Sequence, residues 1–547
     1  MTNKTLALFF ITFFSISVFA QPRTIPPTQK PKLVIGVVID QMRWDYLHRF
    51  DKMYGQGGFK RILSQGYSFE NTLIPYTPTY TAVGHACVYT GGVPSTMGIV
   101  GNDWFEKTID NRMYCTADST VTGVGSTNAA GKMSPKNLWA TTVTDELRLS
   151  NNFKSKVIGI SLKDRGAILP AGHSANAAYW YDDATGKWIS STYYFKNDQL
   201  PKWVNDFNAT DPVAKYMAKD WNLLLPLSAY TQAENDDNEF ENNISGETSP
   251  SFPHKLSKLT KTKYAAIRTT PHGTSMSFDL AKAALINEQM GKGEYTDFLA
   301  LSISSTDYIG HTFGPNSLEI EDTYARLDRD LADFLNFLDM RIGRGNYLFF
   351  LTADHAVAHN PGFLEQYQIP GGHFDDRKMK DEINAAIDSA YAIKDAIRYA
   401  YNYQFYLNDA VLENSGKNVE AIKAFIVKKL KQYPYVVHAV ELENLAAFTM
   451  NETQKRMMSN GYNPKRSGDI QFTVKPQYFD GNKKGTTHGA WNPYDAHIPL
   501  LWFGWNIKPG ETNREVYMTD IAPTVAALLD IQMPNANVGK ALVELTR

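Results

Sequence analysis

Residues 298–355 read "FLALSISSTDYIGHTFGPNSLEIEDTYARLDRDLADFLNFLDMRIGRGNYLFFLTADH", and this stretch decides the class of the fold. It opens and closes with apolar runs of the kind found in strands buried on both faces. Between the runs, apolar side chains recur at helical spacing with charges opposite, at Tyr324, Leu327, Leu331, Leu335 and Leu338. Gly343 and Gly345 follow, as expected where a helix ends. The stretch predicts a strand–helix–strand unit of a parallel α/β sheet.

Two further apolar runs, "LVIGVVID" (33–40) and "VIGISLKDR" (157–165), also predict buried strands. All four runs stop at polar side chains: Asp40; Lys163, Asp164 and Arg165; Asp307 and His311; Asp354 and His355. Any one of these groups alone could be a helix cap or a turn. Ligands of open α/β sheets bind at the carboxyl ends of the strands, and four polar groups at that edge favour a functional site.

Near the C-terminus, "KKGTTHGAWNPYDAHIPLLWFGW" (483–505) places His488 in a loop of small residues and His497 just before another apolar strand. The segment "MTDIAPTVAALLDI" (518–531) predicts a helix that begins near Thr519 or Asp520, with Pro523 in its first turn. The sequence therefore predicts an α/β fold with a mostly parallel central sheet flanked by helices on both faces.

Two segments differ from the rest of the chain in residue composition and pattern, and they are interpreted as insertions. Residues of about 171–290 contain an aromatic hairpin or lid, "AAYWYDDATGKWISSTYYF", and the acidic loop "ENDDNEFENN" (234–243). The loop lacks the glycine and glutamate spacing of an EF-hand, which favours a solvated surface. Residues of about 365–480 combine helical "KNVEAIKAFIVKKLKQYP" with strand-like "YVVHAVEL", which predicts a small α+β cap.

The first twenty residues have the features of a signal peptide: Lys4, a short apolar core, and Val18 and Ala20 at the positions of a cleavage site. Cleavage near Ala20 predicts an exported protein, periplasmic or secreted, whose residues 21–547 form the catalytic domain. No cysteine follows the cut and no later apolar run suggests a membrane helix, so no membrane anchor is expected. The sequence leaves open whether Cys87 and Cys115 pair.

The chain has 547 residues, 43% of them hydrophobic, and a formal net charge of -2. This composition is typical of a globular protein and gives no general electrostatic reason to bind nucleic acid or an anionic membrane. Any phosphate recognition must be local, and the oligomeric state is not predicted.

Six candidate metal ligands stand at the strand ends and in the C-terminal loop: Asp40, Asp307, His311, Asp354, His355 and His488. Carboxylate oxygens and imidazole nitrogens suit Zn²⁺. Six ligands exceed the need of one catalytic zinc and divide into two sets of three. Two-metal hydrolases hold their ions roughly 3.5–4 Å apart. The sequence therefore predicts a site for two zinc ions.

The stretch "PYTPTYTAVGHACVYTGG" (75–92) crowds hydroxyls and small residues at the predicted start of a helix. A threonine hydroxyl is inert at neutral pH, but zinc lowers the pKa of bound water to about 7 and would activate a hydroxyl likewise. A helix N-terminus would also stabilise the substrate anion. These considerations leave Thr77, Thr79 and Thr81 equally possible as the nucleophile.

Motifs along nearly the whole chain resemble the alkaline phosphatase superfamily, and within it the PafA-type phosphatases, which are relatives of the nucleotide pyrophosphatase/phosphodiesterases. The motifs are "VIDQMRWDYL", "TPTYTAVGHACVYTGGVPSTMGIVGND", "SLKDRGAILPAGH", "STDYIGH", "TADH" and "GTTHGAWNPYDAHIPLL". The resemblance implies that Thr81 is the nucleophile. It assigns Asp40, Thr81, Asp354 and His355 to one zinc, and Asp307, His311 and His488 to the other.

The same resemblance implies a reaction of two displacements, in which a phosphothreonine forms on Thr81 and is then hydrolysed. Asn102, Lys163 and Arg165 would bind the phosphoryl oxygens, with Lys163 and Arg165 on one face of an extended segment. His85, His359 and His497 are not ligands in this pattern and are interpreted as residues that pack in the fold or support the ligands. Ala356 replaces the glycine usual after the Asp-His pair and should not alter ligation.

Lys163 and Arg165 also indicate the substrate class, because a phosphate monoester carries more negative charge than a diester. The hypothesis is an exported phosphate monoester hydrolase that acts on small-molecule monoesters, with broad-specificity phosphate scavenging as its role. The main alternative is a phosphodiesterase or nucleotide pyrophosphatase on the same fold. A sulfatase is disfavoured because neither cysteine begins a C/S-x-P-x-R motif. The complete ligand set argues against a binding protein with a vestigial site.

Overall fold

A computed structural model describes residues 30–546 of the chain. The predicted signal peptide, residues 1–20, lies outside the described residues. Among the described residues, the structure contains no helix with the length and hydropathy needed to span a bilayer.

The strands of the described residues, numbered in chain order, are β1 (Leu33–Ile39), β2 (Tyr67–Phe69), β3 (Thr72–Leu73), β4 (Asp103–Glu106), β5 (Asn111–Tyr114), β6 (Gly123–Val124), β7 (Val157–Ser161), β8 (Ala177–Asp182), β9 (Lys187–Ser191), β10 (Asp297–Ile303), β11 (Tyr347–Thr352), β12 (Gly372–Phe374), β13 (Ile397–Tyr401), β14 (Gln404–Leu407), β15 (Val436–Glu441), β16 (Ile470–Val474), β17 (Tyr478–Asp480), β18 (His497–Ile498), β19 (Leu500–Gly504), β20 (Gly510–Thr512) and β21 (Val516–Tyr517).

The α-helices of the same residues are α1 (Tyr46–Arg49), α2 (Phe59–Gln65), α3 (Thr81–Thr90), α4 (Pro94–Met97), α5 (Val143–Ser150), α6 (Asp164–Ala171), α7 (Lys202–Ala209), α8 (Pro212–Met217), α9 (Lys263–Ala266), α10 (Pro271–Asn287), α11 (Ser305–Phe313), α12 (Leu318–Arg341), α13 (Pro361–Gln366), α14 (Asp376–Tyr391), α15 (Asp409–Asn414), α16 (Val419–Leu430), α17 (Glu452–Gly461), α18 (Pro493–Ala496), α19 (Ile521–Leu529) and α20 (Val543–Thr546).

The central sheet of the described residues has the strand order β20-β2-β19-β11-β1-β10-β7-β8-β9-β6. Its middle five strands, β11, β1, β10, β7 and β8, run parallel. Antiparallel pairs with β19 and β9 flank them. The four apolar runs of the sequence are β1, β7, β10 and β11, and every residue of these strands is buried. The prediction of a mostly parallel α/β sheet is confirmed.

Helices cover the sheet where the sequence expects them. The amphipathic stretch after β10 forms α12 and carries Leu327, Leu331 and Leu335 on its buried face. Two glycines of the sheet allow helices to pack closely on it. A Cβ at Gly36 would lie 2.5 Å from Tyr89 Oη of α3, and a Cβ at Gly159 would lie 2.1 Å from the carbonyl oxygen of Ala167 in α6. Because these glycines have no Cβ, α3 and α6 can pack closely on the strands that end at the polar residues.

A second, four-stranded antiparallel sheet has the order β13-β14-β16-β15. It packs with α14 and α16 around a separate apolar cluster that includes Ile383, Phe405, Ile422 and Phe472. This α+β layer falls within the segment interpreted as a cap. The boundaries assigned to that cap, about 365 and 480, stay a prediction.

The aromatic hairpin is β8 and β9, and Gly186 takes a positive φ of 74° at its turn. β8 continues the parallel run beside β7, so the hairpin extends the central sheet. Its described position is therefore at the sheet edge, and the limits of the first insertion, about 171 and 290, stay a prediction.

The interpretation of the acidic loop as solvated surface is wrong for Phe240 and Glu241, which are buried. The cause is backbone pairing with site loops: Gly485 N donates to Phe240 O, and Asn242 N donates to Thr312 O. Cys87 and Cys115 are both free and buried, so they form no disulfide.

Candidate active site

The carboxyl ends of the parallel strands bring the candidate residues together. Asp40 directly follows β1, and α11 begins after β10 and carries Asp307 and His311 one helical turn apart. Asp354 and His355 lie in the loop after β11, as expected. His488 comes from a loop far along the chain and completes the set. All six predicted ligands meet at one edge of the sheet.

The six side chains form the two predicted triads. In each triad the ligand atoms lie within 4.8 Å of one another; the groups are Asp40, Asp354 and His355, and Asp307, His311 and His488. His311 Nε2 lies 3.1 Å from Asp307 Oδ1, and His355 Nε2 lies 3.5 Å from Asp40 Oδ1. The rings of His355 and His488 stack at a centroid distance of 3.5 Å, so the two triads are adjacent.

Each histidine of the triads has its tautomer fixed by a backbone carbonyl, which can only accept a hydrogen bond. His311 Nδ1 donates to Thr486 O at 2.7 Å, His355 Nδ1 donates to Ala356 O at 3.0 Å, and His488 Nδ1 donates to Thr79 O at 2.6 Å. Nε2 is left to face the carboxylates, the arrangement in which metal-ligating histidines are held.

The burial and hydrogen bonding of the carboxylate oxygens are those expected of cation ligands. Within residues 30–546, both side-chain oxygens of Asp40 and Oδ2 of Asp354 are buried and accept no hydrogen bond of regular geometry, although Asp40 Oδ2 forms an ion pair with Lys163. Buried polar atoms normally have partners, and a buried carboxylate costs several kcal/mol unless a charge compensates it. Asp40 Oδ1 and Asp354 Oδ2 lie 3.5 Å and 3.4 Å from His355 Nε2, so they fit a bound metal cation, and the donor set of oxygen and nitrogen suits zinc.

The histidine beside Asp354 differs in role from the triad histidines. His85 Nδ1 lies 2.9 Å from Thr81 O and 3.3 Å from Asp354 Oδ2, and its Nε2 lies 2.9 Å from Ser302 Oγ. His359 and His497 contact Asn316 and the carbonyl of Glu70 instead. None of the three belongs to a triad.

The surroundings of Asp40 and Asp307 shift the pKa values of these two carboxylates in opposite directions. Burial and the neighbouring Asp354 raise the pKa of Asp40 well above its usual value. Burial acts in the same direction on Asp307, but His311 and Lys163 outweigh it and hold the pKa of Asp307 well below its usual range. Burial and the neighbouring His355 and His311 lower the pKa of His488 well below its usual value, so this imidazole is neutral at pH 7.

The structure distinguishes Thr79 from Thr81, two of the three threonines that the sequence chemistry leaves open. Thr79 Oγ1 donates to Ala490 O at 3.2 Å and accepts from Gly489 N, so this hydroxyl supports the His488 loop. Thr81 is the first residue of α3, and its Oγ1 lies 3.4 Å from His355 Nε2 and 3.5 Å from Lys163 Nζ. Thr81 therefore presents its hydroxyl to the triads at the N-terminus of a helix.

Lys163 links the two triads. Its Nζ lies 2.6 Å from Asp40 Oδ2 and 2.5 Å from Asp307 Oδ2. Burial lowers the pKa of Lys163, but Asp307 and Asp40 outweigh it and raise the pKa above its usual value. The ammonium group is therefore charged and lies beside Thr81.

The prediction that Lys163 and Arg165 share one face of an extended segment is wrong. Lys163 is extended, but α6 begins at Asp164 and places Arg165 in its first turn. An acidic residue in the first turn stabilises a helix N-terminus, which favours the helix at this point. Arg165 Nη1 donates to Tyr114 Oη at 3.0 Å, and that hydroxyl donates to Asp164.

Asn102 lies beside the start of α3, where its Oδ1 accepts from Ala82 N at 2.9 Å. This contact fixes the orientation of the amide and leaves Nδ2 as the donor. Ala356, the residue that departs from the related pattern, is buried and is not among the positive-φ residues. The alanine therefore imposes no left-handed backbone strain on the loop.

Sequence reasoning missed Gln41. Its N–H donates to Asp354 Oδ1 at 3.1 Å, and its Nε2 donates to Asp307 Oδ1 at 2.7 Å, so one residue connects both triads. Gln41 has a φ of 67°, a conformation that non-glycine residues adopt rarely. Its position directly after Asp40 at a strand end is the signal that could have identified it.

The profile of the type I phosphodiesterase / nucleotide pyrophosphatase family matches residues 34–495. The chain is 50% identical over 519 residues to alkaline phosphatase PafA of Elizabethkingia meningoseptica, which covers 94% of each chain. A Myroides odoratus protein named "Calcium-transporting ATPase" is 49% identical over 537 residues, 97% of each chain. In structure, the chain is similar to the crystal structure of wild-type PafA, with a TM-score of 0.93 and 50% identity over 95% of this chain and 99% of that one.

A glycine in α3 gives a test of how closely the helix must approach the first triad. A Cβ at Gly84 would lie 2.3 Å from Asp354 O and 2.6 Å from Asp354 Cβ. We expect Gly84→Ala to displace Asp354, to reduce the metal retained per chain and to lower turnover about a hundredfold, as small misplacements at active sites do. Elemental analysis after gel filtration and steady-state kinetics measure both effects.

The matched control is Gly293→Ala, at an exposed position where the nearest atom to a new Cβ lies 4.0 Å away. A Gly84→Ala protein with native metal content and turnover would show that the close approach is not required.

Proposed function

The chain belongs to the type I phosphodiesterase / nucleotide pyrophosphatase family and is an alkaline phosphatase, and we propose that it hydrolyses phosphate monoesters through a phosphothreonine on Thr81 at a two-zinc site. Its main support is the position of the Thr81 hydroxyl at the N-terminus of α3, beside His355 of the first triad, whose ring stacks on His488 of the second triad.

In this proposal Asp40, Thr81, Asp354 and His355 hold one zinc, and Asp307, His311 and His488 hold the other. When bound, the two ions supply positive charge that lowers the pKa of a hydroxyl or water and stabilises the departing oxygen. The two triads together contain three carboxylates and three imidazoles. The support is this donor set, together with Asp40 Oδ1 and Asp354 Oδ2, which accept no regular hydrogen bond among the described residues.

The chain's own groups account for the chemistry at phosphorus. Thr81 Oγ1 loses its proton and attacks the phosphorus atom, the bond to the leaving oxygen breaks, and the products are a phosphothreonine and an alcohol that has gained a proton. Water then attacks phosphorus, the bond to Thr81 Oγ1 breaks, phosphate leaves, and a proton from the water restores the Thr81 hydroxyl. His488 and His355, each fixed through Nδ1, stay in place through both steps.

Three side chains bind the phosphoryl oxygens in this proposal. Asn102 Nδ2 donates a hydrogen bond, since its Oδ1 is held by Ala82 N. Lys163 contributes a charge beside Thr81, and Arg165 contributes the fork of a guanidinium group. Burial opposes the charge of Arg165, but Tyr114 and Tyr308 outweigh it and keep the pKa of Arg165 well above its usual value. Two fixed cations favour the dianionic monoester over a diester.

We further propose that residues 1–20 direct export and that the enzyme scavenges phosphate from many small monoesters outside the cytoplasm. The support is the sequence of the N-terminal segment and the assignment of Asn102, Lys163 and Arg165 to the phosphoryl oxygens, which all phosphate monoesters share. Hydrolysis of diesters as the main activity is the less favoured alternative.

The nucleophile is tested with Thr81→Ala. We expect kcat on an aryl phosphate to fall by on the order of 10³-fold or more, because the covalent route is removed, while elemental analysis still finds about two zinc per chain. The matched control is Thr81→Ser, which keeps a hydroxyl and should trap a phosphoseryl intermediate in acid. Turnover of Thr81→Ala near the native value would contradict the assignment.

The substrate class is tested by comparing kcat/KM for an aryl phosphate and the corresponding aryl methyl phosphate. We expect the monoester to be preferred, and Arg165→Ala to lower kcat/KM for the monoester at least about tenfold more than for the diester, because the monoester has the additional charge. Arg329→Ala, at an exposed position on α12, is the control. Faster cleavage of the diester by the native enzyme would refute monoesterase activity.

A further inference from the structure

A cavity of about 150 Å³ lies between α3 and the four-stranded cap sheet. We call it the cap cavity; the side chains that define it are Tyr80, Asp376, Arg377, Tyr401, Tyr403 and Asp480. Its walls are mostly aromatic, and two of its three charged groups are carboxylates. Neither the metal triads nor the phosphate-binding residues use these side chains.

The cap cavity adjoins the candidate active site on three sides. Tyr80 directly precedes Thr81, and its ring lies 5.6 Å from the His488 ring. Asn402, which also lines the cavity, donates from Nδ2 to Asp103 O at 2.8 Å, next to Asn102.

The third side is formed by the loop that carries His488. A Cβ at Gly489 would lie 2.9 Å from Tyr403 Cε2 and 3.1 Å from Tyr80 Oη, so both rings pack directly on this loop. The cavity wall therefore consists of immediate neighbours of the proposed nucleophile, of a phosphate-binding residue and of a metal ligand.

The electrostatic character of the cavity is negative. Carboxylate oxygens of Asp375, Asp376 and Asp480 lie within 4.8 Å of one another. Asp480 Oδ1 accepts from Asp376 N at 3.1 Å and Asp375 Oδ1 accepts from Lys378 N at 3.0 Å, so these two carboxylates have structural roles. The backbone N–H and the charge of Arg377 stabilise the Asp376 carboxylate, but burial and the two neighbouring carboxylates outweigh them. Arg377 is the basic side chain of the lining.

Two further observations point to a missing partner. Tyr403 is 7% exposed, and its hydroxyl is buried without a hydrogen-bond partner among the described residues. Burial, Asp480 and Asp375 raise the pKa of Asp376 to about 7. A cation in the cavity would offset the repulsion between these carboxylates, and aromatic faces attract ammonium groups in addition.

We propose that the cap cavity binds the alcohol part of the substrate and favours phosphate monoesters whose alcohol carries an ammonium group. The phosphate lies at Thr81 and the alcohol extends past Tyr80 and the His488 loop toward Asp376 and Asp480. Alcohols that carry a second anionic group are disfavoured by the same carboxylates. This inference rests on the proposed function, because it assigns the leaving-group side of that site.

The test compares two substrates of nearly equal shape: phosphocholine, and its uncharged isostere in which a tert-butyl group replaces the trimethylammonium group. For the native holoenzyme we expect kcat/KM to be about tenfold higher for phosphocholine, within the range of cation–π and ion-pair effects at partly desolvated sites. We expect Asp376→Asn and Asp480→Asn to bring the ratio toward one by lowering only the phosphocholine value.

The matched control is Asp381→Asn, an exposed carboxylate on the same helix, α14, which should leave the ratio unchanged. A merely structural effect of Asp376→Asn would lower kcat/KM for both substrates equally and would overturn the proposal. A native ratio near one, with both substrates hydrolysed, would overturn it as well and would leave the phosphatase assignment standing. Failure to hydrolyse either substrate or an aryl phosphate would refute the proposed function and this inference with it.

Discussion

The structure depends on burying three carboxylates at one edge of a parallel sheet. Asp40, Asp307 and Asp354 are at most 2% exposed, and two of them retain oxygens without a regular hydrogen-bond donor. Burying an ion costs several kcal/mol even after relaxation, which is comparable to the 5–15 kcal/mol by which a typical domain is stable. Lys163 compensates part of this negative charge. The carboxylates that carry the rest lie beside the oriented Nε2 atoms of the histidines, and together these groups fit bound cations.

The fold holds these carboxylates in fixed positions despite the free-energy cost of burying them. The carboxylates follow adjacent strands, so their backbone positions are set by the sheet, and the close approach of α3 at Gly84 leaves no space for Asp354 to move toward the helix. Gln41 then ties Asp354 to Asp307 through its backbone and side chain. Because these supports join segments that are far apart in the sequence, the site forms only when those segments are assembled.

The strands and the ligands could be predicted from the sequence because both leave local signals. β1, β7, β10 and β11 are continuous apolar runs, and Asp40, Asp307 and Asp354 stand where those runs end. The assignment of Thr81 required more than a local signal. Residue chemistry allowed three threonines, the resemblance implied Thr81, and the contacts of Thr79 with the His488 loop then gave Thr79 a different role.

Other features depend on contacts between distant segments and could not be predicted. Arg165 was expected on an extended segment, but Asp164 begins a helix there. Glu241 reads as part of an acidic surface loop, yet backbone bonds to Thr312 and Gly485 draw that loop inward. The cap cavity combines Tyr80 with Asp376 and Tyr403, about 300 positions later, and no local pattern connects them.

Two cations that lie side by side and face one hydroxyl would be visible in a crystal structure of the purified enzyme with anomalous data collected on both sides of the zinc absorption edge. We expect two zinc peaks per chain, roughly 4 Å apart. One is bound by Asp40, Thr81, Asp354 and His355, and the other by Asp307, His311 and His488. A single peak, or peaks away from these triads, would contradict this assignment.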